Sequence, residues 1–468
     1  MMELKNIQRI YFIGIGGIGM SALARYFKFH GRQVSGYDKT ETELTKALVS
    51  EGIKVHYTED ISLAPKDAQL VVYTPAIPKD NPELLYYQEN NYTVLKRSDV
   101  LGAITESSFN ICVAGTHGKT TVSTMIAHIL RDSGYGCNAF LGGLSVNYNS
   151  NFWSDPRNVC VIEADEYDRS FLKLSPDIAV ITAMDADHLD IYGTAASVEE
   201  AFIEFSAKLK PGGLLLAKYG LKRARELKVP VKLSYSLDDI NADIYAQNIG
   251  IDDGSYVFDV ITKKWSLKNV RLNMGGMHNI ENAVVAIAAA HQLEIADTKI
   301  KNAIESFRGV KRRFEYVLPL SGTGGIVFID DYAHHPEELR ALISSARKLF
   351  PERKCTVVFQ PHLYTRTRDF AKGFAGSLDL ADEVILLPIY PAREKPIEGV
   401  SSKIIAEKMK HAVVHLINKE ELLTAIKDII SKTPSPVEGV GGRLFITAGA
   451  GDIDRLVKPM KEIFEQTN

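Results

Sequence analysis

Phe109-Asn-Ile-Cys-Val-Ala-Gly115-Thr-His-Gly-Lys-Thr-Thr121 is the stretch on which the reading of the whole chain turns. Asn110 to Ala114 is a short apolar run of strand length, and Thr120 to Ser133 carries apolar residues at helical spacing. Between them, Gly115 and Gly118 let backbone N–H groups turn inward toward an anion. The helix start adds free N–H donors and the positive end of the helix dipole. Lys119 is placed to reach the β- and γ-phosphates of a nucleotide, and the Thr120 hydroxyl to ligate Mg²⁺. The general phosphate-loop pattern has a further glycine where Val113 stands, so this loop is shorter. A glycine turn with an incidental lysine is the competing reading; the strand before and the helix after it favour a triphosphate site.

Toward the N-terminus, Gly14-Ile-Gly16-Gly-Ile-Gly19 follows a β-branched and aromatic run, Arg9 to Ile15, and opens a helical pattern from Ile18 to Phe29. Asp38 closes the next strand, Gln33 to Tyr37, where a carboxylate meets a ribose hydroxyl in dinucleotide-binding folds. Three readings stand: a dinucleotide dehydrogenase, a site for another diphosphate such as that of a nucleotide sugar, or a tight turn without ligand. Backbone N–H groups at a helix start bind any diphosphate, so the glycines alone do not choose. A second nucleotide loop a hundred residues later makes a redox enzyme less natural.

Toward the C-terminus, acidic clusters close successive strands. Glu163-Ala-Asp-Glu166-Tyr-Asp168 follows Val159 to Ile162, and Asp185-Ala-Asp187-His188-Leu-Asp190 follows Ile178 to Thr182. Ligands collect at the C-terminal ends of parallel strands, and oxygen-rich clusters there suit Mg²⁺; solvated loop charge is the plainer alternative. His278-Asn279-Ile-Glu-Asn282 opens an alanine-rich helix, where an asparagine can read an adenine edge or simply cap the helix. Arg312 and Arg313 precede a third run of strands and helices, in which Asp330-Asp-Tyr-Ala-His-His-Pro336 and Gln360-Pro-His362-Leu-Tyr-Thr-Arg366-Thr-Arg368 each follow a strand. The paired histidines have no third ligand at metal spacing, which argues against zinc.

Strands alternating with amphipathic helices predict an α/β fold. At 468 residues the length suits about three domains, with boundaries expected at 1–107, 108–313 and 314–468. An apolar fraction of 45%, a charged fraction of 24% and a formal net charge of -3 describe a globular chain with no global reason to bind nucleic acid or an anionic membrane. Four scattered cysteines, Cys112, Cys137, Cys160 and Cys355, form no CxxC pair and fit a reducing cytoplasm. No apolar signal core or membrane-length segment is expected.

Together these motifs, with Gly449-Ala-Gly-Asp-Ile453, closely resemble the Mur ligases of peptidoglycan synthesis over nearly the whole chain. The resemblance implies an N-terminal Rossmann-like domain for a UDP-sugar, a central phosphate-loop ATPase domain with a mixed sheet, and a small Rossmann-like C-terminal domain completing the ATP and amino-acid sites. It implies ATP- and Mg²⁺-dependent joining of L-alanine to the lactyl carboxylate of UDP-N-acetylmuramate through an acyl phosphate, in the cytoplasm, by a monomer or homodimer without membrane insertion. Gly14, Gly16, Gly17, Ile18, Gly19, Met20, Asp38, Thr74 and Ala76 would then bind the UDP-sugar. Gly115, Thr116, Gly118, Lys119, Thr120, Thr121, Asn279, Asn282, Arg313, Asp330 and Asp331 would bind ATP. Thr120, Glu163 and His188 would hold the metal, and Tyr332, His334 and Arg366 the amino acid. His117, Lys119, His188, Arg313 and His334 would act in catalysis. The family commonly has Arg where Leu363 stands, which shifts the expected carboxylate contact to Arg366 or Arg368. Two alternatives remain open at this point: a ligase that recycles a ready-made tripeptide onto the same sugar, and an NAD-dependent oxidoreductase.

Overall fold

The computed structural model describes residues 4–185, 189–227, 229–318, 325–431 and 442–466. Three sheets organise them. The first is parallel, with β1 (Arg9–Ile13), β2 (Gln33–Tyr37), β3 (Lys54–His56), β4 (Leu70–Tyr73) and β5 (Val94–Lys96) in the order β3-β2-β1-β4-β5. β1 reads as a continuous apolar run because both its faces are covered. Tyr11 and Ile13 pack with Tyr37, Val71 and Tyr87, while Ile10 and Phe12 pack on the other side with Val34, Leu48 and Leu70. The flanking helices are α1 (Ile18–Phe29), α2 (Glu43–Ser50), α3 (Pro82–Glu89) and α4 (Arg97–Ser107). Their starts follow capping chemistry: the Thr42 hydroxyl accepts from the Thr45 N–H at 3.2 Å, and the Asn81 side chain from the Leu84 N–H at 3.0 Å. The last proline of the Pro-rich run after β4 is thus the first residue of α3.

The second sheet contains β6 (Phe109–Ala114), β7 (Asn138–Ser145), β8 (Ser150–Trp153), β9 (Val159–Glu163), β10 (Ile178–Ile181), β11 (Leu214–Lys218), β12 (Val231–Ser236), β13 (Ile244–Asp252), β14 (Ser255–Thr262) and β15 (Ser266–Leu272). Its order is β15-β14-β13-β12-β11-β10-β6-β9-β7-β8. β6 is parallel to both neighbours, β9 and β10. The chain leaves β6 through α5 (Lys119–Asp132) toward β7 and β9 on one side, then returns to β10 on the other. Strand order reverses at β6, and the crevice outside the C-terminal ends of β9, β6 and β10 is where ligands bind in such sheets.

The chain divides into two compact units, one of Met1–Gln247, Asp259–Val270 and Glu281–Phe307, the other of Asn248–Phe258, Arg271–Ile280 and Arg308–Asn468. Within the first, α1 of the first sheet packs against β7 and β8 of the second. The Tyr26 and Phe140 rings lie 5.4 Å apart, and those of Phe140 and Phe152 5.3 Å. Asn151, fully buried, donates to the Ile18 carbonyl at 2.5 Å and accepts from Arg25 Nη1 at 2.9 Å. The helix that follows the first glycine fingerprint is therefore fixed to the phosphate-loop sheet.

The second unit holds the third sheet, with β16 (Glu315–Tyr316), β17 (Ile326–Asp331), β18 (Lys354–Phe359), β19 (Glu383–Leu386), β20 (Val413–Leu416) and β21 (Arg443–Ala448) in the order β16-β17-β21-β18-β19-β20. Only β16 is antiparallel to its neighbour. Phe328, Phe445 and Phe464 form one aromatic cluster in its core. Among the described residues no helix is long and apolar enough to cross a membrane.

Asn151→Ala strips the Ile18 carbonyl and the Arg25 guanidinium of a buried partner, at a cost of about 1–3 kcal/mol. A lower denaturant midpoint is expected in equilibrium unfolding, and an unchanged midpoint would show that Asn151 does not fasten α1.

Candidate active site

The loop between β6 and α5 is built around two positions where a side chain cannot stand. Gly115 has φ +135°, and a β-carbon there would overlap Thr182 Oγ1 and lie 2.7 Å from the Ala183 nitrogen. Gly118, at φ +83°, precedes the first residue of α5, and a β-carbon on it would lie 3.0 Å from Asn282 Oδ1. Thr182, at the end of β10, braces the loop: its hydroxyl donates to the Ala114 carbonyl at 3.2 Å and to that of His117, while the Thr116 N–H donates to the Ala183 carbonyl at 3.2 Å. The loop backbone is thereby held open toward the start of α5.

Lys119 Nζ lies 2.7 Å from the Gly115 carbonyl and 2.7 Å from Glu166 Oε1, a pair with only 14% and 1% of their side chains exposed. The Thr120 hydroxyl donates to Glu163 Oε1 at 2.8 Å, and the other oxygen of Glu163 accepts from the Gly142 N–H at 2.7 Å. The ends of β6 and β9 thus bring Lys119, Thr120, Glu163 and Glu166 together. His117 is exposed, with Nε2 3.9 Å from Asp185 Oδ2. Thr116 and Thr121 are buried. Asp187 and His188 lie outside the described residues. Among the described residues no three His, Cys, Asp or Glu side chains converge as a metal cluster; Thr120 and Glu163 supply two of the hard oxygen donors that Mg²⁺ prefers.

The first fingerprint sits nearby in the same unit. Gly14 has φ +85°, and Gly17 precedes α1. The Asp38 carboxylate accepts from the Gly16 N–H at 2.7 Å and the Thr40 N–H at 3.2 Å, so it braces the turn. Thr74 lies within 3.1 Å of where a Gly14 β-carbon would stand, and Ala76 is exposed. A cavity of about 240 Å³ is lined by Gly17, Ile18, Gly19, Met20 and Thr74 of the first sheet's layer, by Gly142, Glu163 and Asp165 of the second, and by Arg97. One cavity thus joins the first glycine turn to the carboxylate beside the loop between β6 and α5. Sequence reasoning had no signal for Thr182 or Arg97, which belong to no motif, and did not pair Glu166 with Lys119.

In the second unit, Asp330 is buried and accepts from the Thr447 hydroxyl at 2.6 Å, with Arg312 Nε 3.5 Å away. Burial pushes its carboxyl up to about 7. Asp331 accepts from the Phe314 N–H at 2.6 Å and the Ala333 N–H at 2.7 Å, and burial raises it to about 6. Arg312 and Phe314 both adopt positive φ, at 61° and 47°, and Arg313 between them is exposed. His334 Nδ1 is 2.9 Å from the Tyr332 carbonyl, and the His334 backbone N–H donates to the Glu338 carboxylate at 2.8 Å. The His334 and His362 rings lie 6.2 Å apart, His362 stacks on Tyr390, and Arg366 Nη1 is 3.5 Å from His362 Nδ1. Partial burial, Arg366 and His334 all lower the His362 pKa. Tyr332, His334 and Arg366 therefore share one cluster with His362 and with Tyr390, which no motif had marked. Leu363, at φ 71°, turns the chain into the helix Tyr364–Leu378 and donates its N–H to the Tyr390 carbonyl at 2.9 Å. Asn279, also in this unit, is buried and donates to the Gly275 carbonyl at 2.6 Å; Asn282, in the first, is buried too.

Gly115→Ala forces a β-carbon into Thr182 and strains the backbone by about 1–3 kcal/mol before the overlap is counted. Nucleotide affinity measured by calorimetry should fall at least about tenfold; wild-type affinity would remove the loop as a phosphate cradle. Asp330 carries a signed pH prediction. Its folded pKa exceeds the ordinary carboxylate value, so the native state keeps a proton that the unfolded chain releases, and its contribution to stability falls as pH rises between the two values. Asp330→Asn should gain stability relative to the wild type as pH is raised from about 5 to about 8 in thermal unfolding; a difference that does not change over that range would mean that Arg312 keeps the carboxylate charged. Comparison with known proteins identifies the family. Residues 9–108 match the model of the Mur ligase family catalytic domain, 113–290 the Mur ligase middle domain, and 312–437 the Mur ligase glutamate ligase domain. The chain is 47% identical to a UDP-N-acetylmuramate–L-alanine ligase of Cytophaga hutchinsonii, covering 99% of this chain and 98% of that one. It is 48% identical to the ligase of the same name from Parabacteroides distasonis, again over 99% and 98%. The crystal structure of the UDP-N-acetylmuramate–alanine ligase of Thermotoga maritima superposes with a TM-score of 0.79 at 28% identity, covering 98% of this chain and all of that one. The chain belongs to the Mur ligase family.

Proposed function

We propose that this protein joins L-alanine to the lactyl carboxylate of UDP-N-acetylmuramate, using ATP and Mg²⁺ and releasing ADP and phosphate. The observation that carries the reading is the cavity that runs from the glycine fingerprint of α1 to Glu163, beside Lys119 and Thr120. A nucleotide sugar seated on the first turn and a triphosphate seated on the second would meet there. The high identity to proteins named as alanine ligases supports L-alanine as the amino acid.

A carboxylate is a poor acyl donor, so it must be activated. Its oxygen attacks the γ-phosphorus, the bond from that phosphorus to the β–γ bridging oxygen breaks, and ADP leaves. The neutral amine of L-alanine then attacks the acyl carbon, an oxyanion forms and collapses, phosphate leaves, and the amine loses a proton. Charge accumulates in both steps, so the protein's task is positioning and electrostatic stabilisation. Lys119 exchanges Glu166 for phosphate oxygens, and the N–H groups of Gly115 through Thr121 cradle them. Thr120 and Glu163, with His188, are assigned to Mg²⁺, which when bound offsets phosphate charge. His117 is assigned to the sugar substrate or the acyl phosphate.

Asn279 and Asn282 are assigned to adenine, and Arg313 to the phosphates. Asp330 or Asp331 is assigned to the ribose, and Asp331 is the less buried of the two. Tyr332, His334 and Arg366 are assigned to the amino acid, Arg366 taking its carboxylate in place of the arginine absent at Leu363. The same reading divides the labour among 1–107 for the UDP-sugar, 108–313 for ATP, and 314–468 for the amino acid and the completion of the ATP site. The proposed setting is the cytoplasm, where ATP is available and the four free, buried cysteines stay reduced. A monomer or homodimer is proposed.

Phosphate release should require UDP-N-acetylmuramate, ATP and L-alanine together; faster release with a peptide acceptor than with L-alanine would overturn the choice of amino acid. Lys119→Ala should lower kcat by at least about 100-fold, with UDP-sugar affinity in a filter-binding assay close to wild type. Equal losses in turnover and sugar binding would contradict separate seats for the two nucleotides.

A further inference from the structure

The cavity between the glycine fingerprint and Glu163 contains one cation that neither motif accounts for. Arg97 is the first residue of α4, half-buried, and packed over the first turn of α1. A β-carbon at Gly19 would lie 2.7 Å from Arg97 Nη1, 3.1 Å from its Cδ and 3.2 Å from its Cζ. The guanidinium therefore rests on the third glycine of the fingerprint, and a side chain there would displace it. Arg97 also lines a smaller neighbouring pocket with Ser98, Glu163, Asp165 and Ser170.

Its placement is fixed from behind. The Lys96 N–H donates to the Asp99 carboxylate at 3.1 Å, which closes the first turn of α4, and Lys173 pairs with the other oxygen of Asp99. Gly102 of the same helix packs so closely that a β-carbon there would lie 2.8 Å from the Lys173 carbonyl. The backbone that carries Arg97 is thus anchored, and among the described residues its guanidinium makes no hydrogen bond or ion pair. A half-buried guanidinium carries five N–H donors in a rigid fork and does not lose its proton. In a cavity that also holds Glu163 and Asp165, a polyanionic ligand is repelled unless a fixed cation offsets those carboxylates.

We propose that Arg97 binds the diphosphate of the nucleotide sugar, forking across it while the N–H groups at the start of α1 take the opposite oxygens. This rests on the ligase reading above and gives that reading a specific residue. It also supplies a reason why a short glycine turn suffices for a doubly charged group: the backbone contributes dipoles and Arg97 the full charge. The guanidinium would then shield the diphosphate from Glu163, leaving that carboxylate to the phosphate-loop chemistry.

The test uses the full chain with UDP, which has the diphosphate but lacks the lactyl carboxylate, alongside UDP-N-acetylmuramate and ATP. In Arg97→Ala the dissociation constants of UDP and of the UDP-sugar should both rise by about 10- to 150-fold, the loss expected for hydrogen bonds to a charged group. That of ATP should stay within about threefold, which also reports that the unit is folded. Arg97→Lys keeps the charge and most of the aliphatic stem but not the fork, so it should lose about 3- to 10-fold in UDP affinity, and it carries the test should the alanine variant not fold. Wild-type UDP affinity in either variant overturns the assignment while leaving the ligase reading intact. Failure of the unaltered protein to bind UDP or the UDP-sugar overturns the reading itself. Loss confined to the UDP-sugar, with UDP unaffected, also overturns the assignment, since it moves Arg97 to the muramyl carboxylate.

Discussion

The site depends on one steric constraint, the absence of a side chain at Gly115. The backbone of β6 passes so close to the end of β10 that Thr182 occupies the space a β-carbon would take. That contact turns the loop, starts α5 at Lys119, and puts Lys119 and Thr120 over the end of β9, where Glu166 and Glu163 meet them. The parallel sheet supplies three strand ends side by side, and the reversal of strand order at β6 leaves the crevice between them uncovered. Chemistry that gathers several negative charges needs this arrangement, because fixed dipoles and cations cost no reorganisation when charge develops.

A second constraint couples the two halves of the first unit. Asn151 and the Tyr26–Phe140–Phe152 cluster hold α1 against β7 and β8, and the Lys173–Asp99 pair holds α4 against the short helical turn after β9. The glycine fingerprint and Glu163 consequently line one cavity instead of two separate surfaces. A carboxylate and a γ-phosphate brought together in this way react as if in one molecule, and much of the barrier to a bimolecular step is removed by orientation alone.

Much of this was legible in the residues. Apolar runs of strand length followed by helical periodicity placed β1, α1, β6 and α5 to within two residues at either end, because each strand is covered on both faces and each helix shows one apolar stripe. The glycines marked both strand–helix turns, since Gly14, Gly115 and Gly118 take positive φ there. The fingerprint did not distinguish a dinucleotide from a nucleotide sugar, because the backbone donors are the same for both. α4 escaped notice: it buries Val100, Leu101, Gly102, Ile104 and Thr105 against neighbours on more than one side, so no single stripe shows. β3 and β5 are three residues each and too short for a pattern. Arg97, Thr182 and Tyr390 take their roles from tertiary neighbours far away in sequence, which local spacing does not encode.

The most direct measurement follows the oxygen atoms of the muramyl carboxylate. With that carboxylate enriched in heavy oxygen, a single turnover with ATP and L-alanine should deliver one labelled atom to the released phosphate and retain the other in the new amide, as attack on the γ-phosphorus demands. Label in AMP, or phosphate released without label, would contradict activation of the carboxylate at the phosphate loop.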